Sequence, residues 1–153
     1  MKHKKKNKLL QFLGLSFRVK RMLAQTFFLA GYYRYLILHK PFVEYAGKLG
    51  EKLPELRPRD CSYTKEQLAI ADDVSWAVHA ACKRTPWKSE CMVQALCARH
   101  FLSKYGIHAN IFMGVRVEPD GSMTAHAWTR CSKRSVTGGD GERFYTITGI
   151  FYA

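Results

Sequence analysis

Apolar residues recur at helical spacing through the first two thirds of the chain and alternate with polar residues in the last third. Residues 16–38, rich in Phe, Leu and Tyr, predict a first helix. Thr64 and Gln67 form a capping box ahead of a second helix, which we expect to end near Lys83. Helical periodicity therefore dominates the chain up to this point.

A third helix follows, and its start carries the first candidate for chemistry. Ser89 is the predicted N-cap, Cys91 lies in the first turn, and Gly106 is the predicted C-terminal stop. Period-two alternation then predicts antiparallel strands joined by a type I turn at residues 118–121. The predicted strands are 107–117, Met123–Cys131, Arg134–Thr137 and 143–151. Helices first and strands last predict an α+β fold, with N-terminal helices followed by an antiparallel sheet.

Pro54 and Pro58, with charges between them, mark a linker near residues 50–62. We therefore predict two regions in one chain of single-domain length. Residues 1–60 form a basic, aromatic-rich helical region, and residues 61–153 form the core.

The formal net charge of +13 is concentrated at the N-terminus. Residues 1–43 hold ten Lys or Arg and no acid, whereas the rest of the chain has a net charge of only +3. This basic region suits phosphate, lipid headgroups, an acidic peptide or simple solvation. The aromatic residues within it (Phe27, Phe28, Tyr32, Tyr33 and Tyr35) either pack against the core or face a partner protein or a membrane surface, and core packing is expected.

The apolar stretch at residues 22–38 is too short to span a bilayer and contains Arg34. The apolar segment at residues 9–17 ends in Arg18 and lacks the cleavage site of a signal peptide. Five cysteines without a C-x-x-C pair suit a reducing compartment. A cytoplasmic location is expected, with membrane association through the N-terminus left open.

Cys91 is a candidate nucleophile because backbone N–H groups and the helix dipole favour a thiolate at a helix start. His126 is the candidate base, since it lies in a strand between two alanines that leave room around it. If Ser132 and Lys133 form a turn, position 126 pairs with position 139, and Asp140 reaches the imidazole. Taken alone, a helical Cys is more often a small buried hydrophobic residue.

A zinc site is the alternative role for these cysteines. Cys97 and His100, three residues apart on a helix, would need Cys91 or Cys131 as further ligands, and no second ligand pair stands nearby. Neither a metal nor a cofactor is expected.

Three motifs resemble one family. They are P-W-x-x-x-C ending at Cys91, H-A-W beginning at His126, and Thr137-Gly138-Gly139. In these motifs the chain is similar to the lasso-peptide leader peptidases, the stand-alone peptidase half of the lasso maturation protease. The resemblance implies a papain-related, transglutaminase-like core with a Cys-His-Asp triad. It assigns Cys91 and His126 to the triad and leaves the acid to Asp140 or Glu142.

The resemblance also implies a function: proteolytic removal of the leader from a ribosomally made lasso-peptide precursor. The expected partners are the precursor leader peptide, a separate leader-recognition protein and an ATP-dependent lasso cyclase. No nucleic acid partner is expected. Two rival functions stay open, namely acyl transfer of the transglutaminase type and a non-catalytic basic module that binds nucleic acid or an anionic membrane.

Overall fold

A computed structural model of the chain describes residues 12–139 and 141–153. The first long helix, α1, spans Phe17–His39. It begins one residue after the predicted start, because Ser16 is its N-cap and the Ser16 hydroxyl accepts a hydrogen bond from the backbone N–H of Val19 at 3.3 Å. No helix in the described part of the chain is both long and apolar enough to cross a membrane.

Helix α1 buries one face only. Its buried residues share a stripe that joins the main core: Val19, Met22, Thr26, Ala30 and Tyr33. The expectation that all five aromatic residues pack in the core is therefore wrong for Phe28, Tyr32 and Tyr35, which are exposed, and for Phe27, which lies at the edge of the buried surface. The reason is that the helix is apolar around much of its circumference, while the rest of the core covers a single side of it.

The segment expected to be a linker contributes to the fold. After the short helix α2 (Phe42–Ala46) and a 3₁₀ turn (Gly47–Leu49), strand β1 (Glu51–Lys52) pairs with the last strand of the sheet. The next residue, Leu53, is buried and donates its N–H to the Ile150 carbonyl at 2.8 Å. The prediction of a linker was wrong here, because a two-residue strand at a sheet edge is stabilised by its partner and has no periodic signal of its own.

Helix α3 (Lys65–Cys82) has the predicted capping box, in which Thr64 and Gln67 exchange hydrogen bonds. Helix α4 (Cys91–Lys104) begins one residue later than Ser89 predicts, because Glu90 is its N-cap and makes no side-chain capping bond. At the other end Gly106 adopts a φ of +64°, and the Ile107 N–H reaches back to the Leu102 carbonyl, as predicted for a glycine stop.

The strands β2 (Asn110–Val117), β3 (Met123–Cys131), β4 (Arg134–Thr137) and β5 (Thr146–Tyr152) follow. With β1 they form one antiparallel sheet in the order β1-β5-β2-β3-β4, which confirms the α+β prediction. Strand β5 begins later than predicted because a second 3₁₀ turn, Glu142–Phe144, precedes it.

The two faces of the sheet are covered differently. One face packs on the helices and contributes Ile111, Ala127 and Cys131 to the main core. The other face carries a small cluster of its own: Leu53, Phe112, Trp128 and Ile150. Successive side chains of a strand point to opposite faces, so neighbouring residues of β3 belong to different clusters.

Candidate active site

The eight residues that connect α3 to α4 are held by one hydroxyl. Oγ1 of Thr85 lies 3.0 Å from the carbonyl oxygens of Cys82 and Trp87 and 2.7 Å from the Ser89 hydroxyl. The Gln94 amide donates to the Ser89 carbonyl at 2.9 Å and ties the end of this segment to α4. These bonds give the chain a defined path into the helix start at Cys91.

Helix α1 supports the same segment from outside. The Trp87 ring packs on Phe27 with 5.1 Å between centroids, and it lies so close to Gly31 that an added Cβ would come within 3.0 Å of it. Arg34 approaches the Glu90 carboxylate at 3.8 Å. The N-terminal helix therefore contacts the residues immediately before Cys91.

Cys91 is the first residue of α4 and is half-buried. The first main-chain bond of the helix runs from the Gln94 N–H to the Glu90 carbonyl at 3.0 Å. The N–H groups of Cys91, Met92 and Val93 therefore have no partner within the helix, as in the first turn of any α-helix. This helix start offers unpaired donors beside a thiol, which is an arrangement suited to binding developing negative charge.

Two of the three buried thiols have raised pKa values. Burial raises the pKa of Cys131 to about 12, and contact with the Cys82 thiol together with burial raises the pKa of Cys97. Both side chains therefore remain protonated and act as packing groups. Of the five free cysteines, Cys61 and Cys91 are the two that are only half-buried.

His126 is oriented by a backbone carbonyl. Its Nε2 lies 2.6 Å from the Gly138 oxygen, and since a carbonyl only accepts, Nε2 carries the proton. A neutral ring in this tautomer keeps its lone pair on Nδ1, the atom then available to act as a base. The ring stacks on Trp128 at 5.6 Å and packs against Tyr145 at 5.0 Å.

Gly138 is a residue that the sequence analysis missed as a part of the site. Its φ is +70°, and a Cβ there would come within 2.5 Å of the Ala127 carbonyl and 3.1 Å of His126 Nε2. Only glycine combines this backbone conformation with so close an approach. The signal was present in the glycine pair that follows a predicted strand, because such a glycine often marks close backbone contact.

The candidate nucleophile and the candidate base contact different hydrophobic clusters. Cys91 packs at the edge of the main core, whereas Trp128 and Tyr145, which hold His126, belong to the cluster on the other face. Alternation along β3 agrees, since Ala127 points toward the helices and its neighbour His126 points away. Within the described residues no hydrogen bond joins the Cys91 thiol to His126.

The acid of the candidate triad is not placed. Asp140 lies outside the described residues, so its role stays a prediction. The alternative, Glu142, forms an ion pair with Arg130. The predicted 126-to-139 pairing was wrong, because a bulge between Thr129 and Arg130 shifts the register by one and the ladder ends at Thr137.

The described residues contain no cluster of three His, Cys, Asp or Glu side chains able to hold a metal ion. The four residues of the zinc alternative are thus not gathered into a site, and Cys97 is fully buried in the main core.

The comparisons with known proteins point to the same class of fold. Residues 42–148 match the family model of the transglutaminase-like superfamily, and the chain belongs to this superfamily. The superfamily covers peptidases and acyltransferases and commonly includes cysteine peptidases. No curated protein and no solved structure matches the chain.

Proposed function

We propose that this protein is a cysteine peptidase that removes the leader from a lasso-peptide precursor. The observation that carries the proposal is the position of Cys91, the first residue of α4, in a chain of the transglutaminase-like superfamily. The resemblance of the three sequence motifs around Cys91, His126 and Thr137 to the lasso-peptide leader peptidases supports a lasso-peptide precursor as the substrate.

In the proposed reaction His126 Nδ1 takes the proton of the Cys91 thiol, and the sulfur attacks the carbonyl at the leader–core junction. The imidazolium then protonates the departing amine of the core peptide, and the C–N bond breaks. Water, deprotonated by the same imidazole, hydrolyses the thioester and releases the leader as a carboxylate. Asp140 is proposed as the acid that orients the imidazole, and in that role it would accept the Nε2–H in place of the Gly138 carbonyl.

The helix start has a second role in this proposal. The N–H groups of Cys91, Met92 and Val93 are donors beside the position that the tetrahedral oxyanion would occupy. A single donor of this kind contributes about 3 kcal/mol to transition-state stabilisation. Apart from proline, no amino-acid substitution removes a backbone donor, so this contribution depends on the start of α4 remaining at Cys91.

For this reaction the His126 ring must leave its contacts with Gly138, Trp128 and Tyr145 and reach the Cys91 thiol. We propose that the leader, held by a separate recognition protein, drives this rearrangement when it binds. The freed core peptide would then pass to an ATP-dependent cyclase. The isolated chain is therefore expected to cleave slowly without the leader-binding protein.

The test is a cleavage assay with a lasso-peptide precursor and its leader-binding protein, analysed by mass spectrometry. We expect a leader with a free carboxylate and a core with a free amine. Cys91→Ala and His126→Ala should abolish cleavage, while Cys61→Ser, which changes the other half-buried thiol, should retain it. Full activity in Cys91→Ala would refute the proposal, and a product joined to an added amine would assign the chain to the acyltransferases.

A measurement without substrate separates failure of the partner from failure of the site. Iodoacetamide labelling near pH 6, followed by peptide mass spectrometry, compares the rates at Cys91 and Cys61. The unpaired N–H groups at the start of α4 predict faster labelling of Cys91. If Cys91 and Cys61 were labelled at equal rates both with and without the leader-binding protein, Cys91 would be excluded as the nucleophile.

A further inference from the structure

Helix α1 has a second apolar face that the described structure leaves uncovered. Phe17, Phe28 and Tyr35 are 79%, 75% and 57% exposed, although side chains of this kind are usually buried. Their spacings of eleven and seven residues place them within about 20° of one line along an ideal helix. We call these three residues, together with Ala24 between them, the outer stripe.

The outer stripe is long and straight. From Phe17 to Tyr35 it runs roughly 27 Å at 1.5 Å per residue. It lies opposite the buried stripe of the same helix, whose residues Met22, Thr26 and Tyr33 face the core. Helix α1 thus presents one apolar face to the protein and a second one outward.

Cations flank the outer stripe. Lys20 and Arg21 lie on either side of it near its start, and Lys48 lies at its other end, with Nζ 5.7 Å from the Tyr32 ring. None of these three forms an ion pair with a described acid, unlike Arg18, which is held by Asp73. The first 43 residues contain no acid, and five further lysines precede the described part of the chain.

We propose that the outer stripe docks on the surface of an anionic phospholipid bilayer, with α1 lying parallel to the membrane plane. A straight apolar line flanked by cations suits a flat surface, in which rings enter the headgroup boundary and long cationic side chains reach lipid phosphates. An excess of positive charge without any acid complements a surface of uniform negative charge. This role is independent of the proposed peptidase activity.

The surface beside the stripe extends the apolar contact. A groove of about 780 Å³ between α1 and α3 is bordered by Ala24, Phe27 and Trp76 and carries Lys20 and Arg84 at its rim, without an acid. Trp76 is 49% exposed. Because Trp76 adjoins the docking face, its fluorescence changes on transfer from water to lipid, and Trp76→Phe separates its emission from that of Trp87 and Trp128.

The test is co-sedimentation of the full chain with vesicles, with the tryptophan fluorescence of the parent and of Trp76→Phe recorded in parallel. We expect binding to phosphatidylglycerol–phosphatidylcholine vesicles, a blue shift of the emission, and loss of both in high salt or with phosphatidylcholine alone. The double variant Phe17→Ser/Phe28→Ser should have a vesicle partition coefficient at least about tenfold lower than the parent, because the loss of each ring removes a large apolar area from the contact with lipid.

The matched control is Phe144→Ser, which makes the same change at a ring 52% exposed in the turn before β5. It should bind vesicles as the parent does, and circular dichroism should show both variants folded. Absence of binding to anionic vesicles at low salt would overturn the proposal. Unchanged vesicle binding by the double variant would also overturn it. A parent protein that is dimeric in analytical ultracentrifugation, with a monomeric double variant, would overturn it as well.

Discussion

Gly138 offers a direct test of how the fold holds His126. Replacing it with alanine places a Cβ 2.5 Å from the Ala127 carbonyl, 2.9 Å from the Trp128 Cβ and 3.1 Å from His126 Nε2. The nearest of these atoms belongs to the backbone of β3 and cannot rotate away. We therefore expect Gly138→Ala to move either the strand or the residues that follow β4.

The free-energy cost has two parts. A side chain at φ +70° costs roughly 1–2 kcal/mol, and forcing a group into a filled space adds about 1–3 kcal/mol. Gly121→Ala isolates the first part, because Gly121 has a similar φ of +84° and no atom within 4 Å of its Cβ position. Both variants also lose similar chain freedom when unfolded, so this contribution cancels in the comparison.

The assay is chemical denaturation of the parent and both variants, followed by circular dichroism. We expect Gly138→Ala to lose more free energy of unfolding than Gly121→Ala, by about 1–3 kcal/mol. In addition, ¹⁵N NMR should show that the His126 ring keeps its Nε2–H tautomer in Gly121→Ala and loses its preference in Gly138→Ala. Equal losses of stability, with the tautomer unchanged, would refute the close packing of Gly138 against His126.

Two further predictions concern other hydrogen-bonded groups. Thr85→Val removes the hydroxyl that contacts Ser89 and two carbonyls, so it should lower the free energy of unfolding by about 1–2 kcal/mol. Thr85→Ser retains the hydroxyl and should retain most of this free energy. Equal losses of stability in the two variants, measured by chemical denaturation, would contradict this role. Hydrogen bonds from Arg116 and Thr124 lower the pKa of Glu118 below its ordinary 4.5. The ionised carboxylate therefore contributes to the free energy of unfolding in full above pH 4.5, and this contribution is lost as the pH falls through the lowered pKa. The thermal midpoint of the parent should therefore fall more steeply below pH 5 than that of Glu118→Gln, and parallel curves would show that the group contributes nothing.

Much of the secondary structure was predictable because its signals are local. Ser16, the Thr64–Gln67 box and Gly106 each act on backbone groups within a few residues, so the helix ends follow from the residues themselves. Strands β3 and β4 were also predicted within their observed bounds. The prediction failed at β1, which exists because β5 lies beside it, and at Ser89, whose hydroxyl is taken by Thr85.

The candidate site was predictable only in its parts. Sequence placed Cys91 at a helix start and His126 in the strand after a turn, and both positions are confirmed. It did not foresee that the Gly138 carbonyl holds the imidazole, because that contact depends on a register shift at a bulge. The hydrophobic pattern of a strand as short as β4 does not indicate a shift of one residue in its pairing with β3.

The sequence by itself determined the order of helices and strands, the concentration of charge at the N-terminus and the residue types available for chemistry. The tertiary structure decided which face of each element is covered. It buried Tyr33 while leaving Phe28 exposed on the same helix, and it put Ala127 and His126 on opposite sides of one sheet. The physical reason is that periodicity places side chains around a helix or strand, whereas burial depends on the neighbouring elements that pack against each side.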